Sequence, residues 1–132
     1  MTNDYFFALP LLVVVSLIAV FAWIYQRKER RHPAEAAMRP LFSENCAGVI
    51  GWVTYKGPFI RLAVYPDFLV ASCDQPYYLP FTQISQVERR SFLFSKGYRI
   101  HHRNPQYPGR IEVWFNNRES FEAAIGGKVT IV

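Results

Sequence analysis

Arg61-Leu62-Ala63-Val64-Tyr65-Pro66-Asp67-Phe68-Leu69-Val70 is the stretch that decides how this chain folds. From Phe59 to Tyr65 the residues alternate, so an extended chain places Leu62 and Val64 on one face and Arg61, Ala63 and Tyr65 on the other. Pro66-Asp67 is a turn signal, and Phe68 to Ser72 resumes an apolar, β-prone run. Two short antiparallel strands joined by a tight turn satisfy this pattern.

The same period continues in both directions. Upstream, Val49-Ile50-Gly51-Trp52-Val53-Thr54-Tyr55 is rich in β-branched and aromatic residues, and Lys56-Gly57-Pro58 is expected to turn it into the next strand. Downstream, Cys73-Asp74-Gln75-Pro76 turns into Tyr77-Tyr78-Leu79, and a further strand is expected from Ile84 to Arg89. Phe92-Leu93-Phe94 and Tyr98 to Arg103 read as a strand pair, or as one strand broken near Lys96-Gly97. Asn104-Pro105-Gln106-Tyr107-Pro108-Gly109 is a loop, after which Ile111, Val113 and Phe115 alternate with Glu112 and Trp114. The last element is helical. Asn116 and Glu119 have the spacing of a capping box, Phe121 and Ile125 share one face, Glu119 and Glu122 face out, and Gly126-Gly127 ends the helix. Five to seven antiparallel strands and one terminal helix result.

The beginning of the chain obeys different physics. Tyr5 to Tyr25 contains twenty-one residues without a charge. A helix of that length matches a hydrocarbon layer of about 30 Å, with Tyr5 at one interface and Trp23 and Tyr25 at the other. A cleaved signal peptide fits less well, because Met1-Thr2-Asn3-Asp4 carries no positive charge and no small-residue cleavage pair follows the apolar run. Arg27, Lys28, Arg30 and Arg31 follow the span and no cation precedes it, so the positive-inside rule puts the C-terminal side in the cytoplasm. The expected organisation is a short extracytoplasmic segment over 1–4, a transmembrane helix over 5–25, a basic juxtamembrane linker over 26–40 bounded by Pro33 and Pro40, and a soluble β-domain over 41–132.

The residues of the β-domain resemble a known superfamily. Leu62-Ala63-Val64-Tyr65-Pro66-Asp67-Phe68-Leu69 is similar to the L-x-V-x-x-D-x-L strand pair of the pleckstrin-homology superfamily, in particular its GRAM-like bacterial branch. Leu79-Pro80-Phe81-Thr82-Gln83-Ile84-Ser85-Gln86-Val87 resembles the I-P-[FY]-x-x-I-x-x-V segment that follows there. The run from Trp114-Phe115 through the helix carrying Phe121 and Ile125 resembles that family's capping helix. The likeness covers roughly residues 48–126 and rests on core-packing patterns. It implies a partly open barrel of antiparallel strands closed by a helix, acting as a lipid- or protein-binding module or scaffold and not as an enzyme, in a cell (inner) membrane.

No catalytic motif is present: there is no G-x-S-x-G, H-E-x-x-H, G-x-x-x-x-G-K or G-x-G-x-x-G. His101 and His102 are adjacent, so on a strand they point to opposite faces and cannot share a metal. Cys46 and Cys73 lack partners at zinc spacing. No cofactor, metal or small-molecule substrate is expected. The charge pattern is more informative. Between Glu88 and Glu112 there is no acidic residue, whereas Arg89, Arg90, Lys96, Arg99, Arg103 and Arg110 are all present, interleaved with Phe92, Phe94, Tyr98 and Tyr107. Nucleic acid is disfavoured, because the chain from Leu41 has ten Lys/Arg against seven Asp/Glu, a net of +3, and is tethered beside a membrane. A protein partner meeting this basic face is the leading expectation. A domain lying on its own anionic bilayer is the first alternative, and an exported domain with a Cys46–Cys73 bridge is the second. Lys56, Phe59 and Arg61 form a candidate contact at the first strand turn, where phosphoinositide-binding relatives of the superfamily carry a denser cluster of basic residues.

Orientation is directly testable. With reporters fused after Val132, one active only in the cytoplasm is expected to give signal and one active only after export to stay silent. The reverse pattern would overturn the orientation and make the disulfide plausible.

Overall fold

In a computed structural model the described residues are 4–92 and 95–132, and the side chains of residues 4, 5 and 92 also lie outside the description. The readings above that rest on Met1–Asn3, on Leu93 and Phe94, or on the Tyr5 ring fall outside it. The chain forms a long apolar helix α1 (Asp4–Arg27), seven strands and a short terminal helix α2 (Arg118–Ile125). The strands are β1 (Phe42–Ile50), β2 (Val53–Val64), β3 (Phe68–Ser72), β4 (Pro76–Pro80), β5 (Ile84–Phe92), β6 (Ser95–His102) and β7 (Ile111–Trp114).

Helix α1 runs through Pro10 without a break. Its segment Phe6–Arg27, 22 residues with a hydropathy of 2.7, is long and apolar enough to cross a membrane, and its apolar window has no buried residue. All seven strands join one antiparallel sheet in the order β4-β3-β2-β1-β7-β6-β5. The first four form a meander, the last three form another, and β7 returns to pair with β1. The sheet curls into a half-barrel around a core that includes Leu62, Val64, Leu69, Leu79, Val87, Ile100, Ile111 and Val113.

α2 plugs this core. Phe121 and Ile125 are fully buried, as their four-residue spacing predicts. The Phe121 ring meets Phe42, Tyr98 and Phe115 with centroids 5.5, 4.7 and 5.2 Å away. The expected capping box is absent: the helix starts one residue later, with Asn117 at its cap and no side-chain cap bond. Glu119 is exposed as expected, but Glu122 turns to the rim of the barrel, where it accepts a hydrogen bond from the Tyr98 hydroxyl at 2.7 Å and pairs with Arg89.

The first turn also falls elsewhere than the Gly-Pro signal suggested. β1 and β2 are joined by the two-residue loop Gly51-Trp52, with Ile50 paired to Val53. Gly51 sits at φ 61°, a left-handed value that glycine tolerates at the first position of a hairpin loop. Lys56-Gly57-Pro58-Phe59 instead bulges opposite the single residue Ala47, since Cys46 pairs with Ile60 and Gly48 with Tyr55. Proline cannot donate to a ladder, and a bulge accommodates it.

The two outermost strands are partly protected. On β4, alternate positions 76, 78 and 80 are Pro, Tyr and Pro, and the Tyr78 N–H donates to the Tyr107 hydroxyl at 3.4 Å. On β5, the C-terminal residues pair alongside: the Val87 and Arg89 N–H groups donate to the Thr130 and Val132 carbonyls at 2.8 and 2.9 Å.

Curling brings backbones close at two glycines. A Cβ on Gly48 would lie 2.0 Å from the Glu112 carbonyl oxygen, and one on Gly97 would lie 2.1 Å from that of Val113. Gly48→Ala is therefore expected to destabilise the fold by about 1–3 kcal/mol or more, the scale of overpacking. Gly109→Ala, where a Cβ meets nothing within 4 Å, is expected to be nearly neutral. Thermal unfolding of the full chain in detergent distinguishes the two.

Candidate functional site

Strand β2 is buried on both faces between Ile60 and Val64. Leu62 and Val64 face the barrel core. Arg61, Ala63 and Tyr65 do form the opposite face, but that face is not open to solvent. The segment between α1 and β1 folds back over it. Pro33–Glu35 forms one 3-10 turn, started by His32, whose Nδ1 accepts the Ala34 N–H at 3.1 Å. Ala34 and Met38 pack on Ala63, Tyr65, Phe68 and Val70, and the His32 ring stacks on Tyr78 at 4.4 Å. The linker is thus an outer layer of the domain rather than a free tether. Ala37 closes this layer at φ 63°, an uncommon value for a residue with a side chain.

A buried ion pair fixes the layer. Glu35 is 0% exposed and Arg61 is 6% exposed. Arg61 Nη1 donates to Glu35 Oε1 at 2.8 Å and Nη2 to Oε2 at 3.2 Å. The remaining guanidinium donors reach the backbone of the helix exit: Nε bonds the Lys28 carbonyl and Nη2 the Arg30 carbonyl, both at 2.9 Å. Glu35 also accepts from the Tyr65 hydroxyl and from the His32 N–H, each at 2.8 Å, while Ser72 Oγ donates to the Arg30 carbonyl at 3.1 Å. A planar five-donor fork is needed to satisfy a carboxylate and two carbonyls together, and lysine could not substitute. Burial alone would raise the Glu35 carboxyl, but the Arg61, Tyr65 and His32 donors outweigh it and hold it below its ordinary value. Burial would likewise lower Arg61, and Glu35 reverses the direction.

The four residues expected to set topology have unequal surroundings. Arg30 and Arg31 are exposed, whereas Lys28 is buried with its ammonium 3.9 Å from the centre of the Tyr25 ring and paired with Glu29. Arg27 lies over the Trp23 ring at 4.7 Å.

The six basic residues between 89 and 110 do not form one continuous face. Arg89 points to the α2 end and pairs with Glu122. Arg103 lies on the following loop and donates to the Thr82 carbonyl at 3.1 Å. Arg90, Arg99 and Arg110 share the outer face of β5–β7, where Glu88 lies 3.6 Å from Arg90 and Glu112 lies 3.4 Å from Arg110. Lys96 is exposed on the β5–β6 hairpin, across the strand pair from Ser91. The outcome is a mosaic of both signs. His101 joins it through Glu88 at 3.3 Å, while His102 turns away: its Nδ1 accepts the Asn104 N–H, so Nε2 carries the proton and donates to the Pro108 carbonyl at 2.7 Å. The two histidines diverge as their adjacency requires.

Of the three candidate turn contacts, Lys56 is exposed on the bulge, Phe59 packs edge-on against Tyr25 at 6.3 Å, and Arg61 is the buried centre of the clamp. Arg61 is therefore no surface contact. Next to this region lies an open cleft of about 640 Å³ lined by Trp52, Tyr55, Asp74, Tyr77, Pro108 and Arg110 among others. Asp74 is occupied within its own turn, accepting from Tyr77 and from Cys73 at 3.0 and 2.9 Å. Cys46 and Cys73 are separate buried thiols, and burial pushes each up to about 12. Among the described residues no group of three or more His, Cys, Asp or Glu side chains is placed to hold a metal.

Removing one partner of a buried pair costs about 3–5 kcal/mol, so Glu35→Ala is expected to lower stability by that amount. The pH dependence has a definite sign. With the folded Glu35 pKa held below the ordinary 4.5, its contribution is complete above about pH 4.5 and is lost as pH falls through the folded value. Thermal midpoints of the full chain in detergent should fall below that pH, and the difference from Glu35→Gln should shrink over the same range. A constant difference down to pH 2 would contradict the clamp. No protein-family model matches this sequence and no curated protein matches it significantly, so the fold and the clamp carry the functional argument themselves.

Proposed function

We propose that this chain is a single-pass, membrane-anchored, non-enzymatic module that holds a protein partner at the cytoplasmic surface of a cell (inner) membrane. The observation that carries this reading is the Arg61–Glu35 clamp, which joins the exit of α1 to the outer face of β2. A flexible tether would let a domain wander. Two carbonyls and a carboxylate gathered on one guanidinium give it a fixed attitude to its anchor, which is what a scaffold needs. The seven-stranded half-barrel plugged by α2 is compatible with a pleckstrin-homology-like fold, whose members serve as binding modules.

The outer face of β5–β7 is the proposed contact. Arg90 and Arg99 are offset there by Glu88 and Glu112, and a surface of alternating sign suits the mixed charges of a protein better than a uniformly anionic leaflet. Photoreactive residues placed at Arg90 and His101 in membranes from the native host are expected to give a discrete protein adduct, while one at Glu119 on α2 gives none. The adduct should disappear in a Glu88→Lys, Arg99→Glu background. Adducts to lipid alone, at any of the three positions, would favour a domain lying on its bilayer.

A further inference from the structure

Trp52 occupies the tip of the β1–β2 hairpin with its ring wholly in solvent, 101% exposed, and Val53 beside it is 51% exposed. Among the described residues outside α1, the other large exposed apolar side chains are Leu41 and Val132, each near a chain or layer end. A fully exposed tryptophan on a two-residue turn contributes nothing to the core, so its surroundings must be sought outside the fold.

The clamp fixes where that tip lies. The juxtamembrane segment runs parallel to β2: Tyr65 is held by Glu35, Arg61 by the Lys28 and Arg30 carbonyls, and Phe59 meets Tyr25. Moving down β2 from Tyr65 toward Val53 therefore moves back along the chain toward the apolar helix. Trp52 lies beyond Phe59 in that same direction, at the tip of the β1–β2 hairpin. The tip thus lies at the end of β2 directed toward α1, whose Trp23 and Tyr25 are themselves exposed. Arg110, on the rim of the cleft that Trp52 lines, supplies a cation beside the tip, and Arg27 one at the helix end.

We infer that the Trp52-Val53 hairpin tip inserts into the lipid–water interface of the membrane that α1 crosses, giving the domain a second point of attachment. The chemistry is that of interfacial tryptophan: an apolar ring with one polar N–H, favoured where acyl chain meets head group. No head-group-selective pocket is invoked. One transmembrane axis leaves the domain free to rotate about it and to tilt, and a second contact away from the axis removes that freedom. The inference rests on α1 spanning the bilayer, as proposed above.

The test uses the full chain in proteoliposomes with brominated acyl chains, in variants that each retain one of Trp23, Trp52 and Trp114. Trp52 is expected to lose emission to bromolipid as Trp23 does and to be shielded from aqueous iodide, while Trp114 on β7 is not quenched by bromolipid. If Trp23 is quenched and Trp52 is quenched only by iodide, the inserted tip is overturned and the span stands. If neither is quenched by lipid, the span itself falls and the inference with it. Trp114 packs beside Gly97, so its replacement could disturb the sheet. A second measurement avoids it: Trp52→Cys in the otherwise native chain, spin-labelled there because Cys46 and Cys73 are buried. The label should collide more with oxygen than with a water-soluble nickel complex; the opposite order would overturn the inference.

Discussion

One buried guanidinium organises the relation between the two parts of this protein. Arg61 lies on β2, and all three of its guanidinium nitrogens are used: on Glu35, on Lys28 and on Arg30. An arginine in that position without an acid would be an uncompensated charge under an apolar layer, which the fold could not tolerate. With Glu35 present, the charge becomes the point around which the layer assembles. Ala34 and Met38 then have a surface to cover, His32 has Tyr78 to stack on, and the exit of α1 is drawn to within aromatic contact of Phe59. The ion pair is better understood as specifying one arrangement than as adding stability over an apolar alternative.

The half-barrel answers a separate constraint. Seven strands in one sheet curl into a half-barrel, and the chain passes close to itself where β1 Gly48 faces the Glu112 carbonyl of β7 and β6 Gly97 that of Val113. Side chains there would hold the strands apart. The curl leaves an open end, which Phe121 and Ile125 fill. Tyr98 serves both tasks: its ring packs on Phe121 inside the barrel, and its hydroxyl donates to Glu122 at the rim.

Much of this is legible in the chain. The period-two pattern from Arg61 to Val70 identifies the central hairpin, and Phe121 with Ile125 identifies the plugging helix. The Gly57-Pro58 pair misleads, because a glycine and a proline signal a bulge as readily as a turn; the true loop is marked by Gly51 alone, whose φ no sequence displays. The clamp was readable in principle. An arginine sharing a strand face with Ala63 and Tyr65 asks for a buried acid, and the Pro-bracketed segment offers Glu35. What hid it was sequence separation, 26 residues, and the ordinary expectation that a basic juxtamembrane stretch is solvated. The basic run from 89 to 110 shows the converse. Its lack of acids in sequence disappears in space, because Glu88 and Glu112, which bracket the run, and Glu122 from α2 face its cations.

The protected outer strands of the sheet acquire meaning on the proposal that α1 anchors the chain. Copies of a chain held in one membrane share a thin layer of solvent and meet far more often than the same number dispersed in bulk. In such crowding a strand edge with free N–H groups would template pairing between neighbours, and the pairs would grow into ribbons. Here Pro76, Pro80 and the Tyr107-capped Tyr78 leave no donor row on one side, and the chain's own last residues cover part of the other. Contact between copies across those two edges would then rest on side chains, whose contacts saturate at a defined stoichiometry.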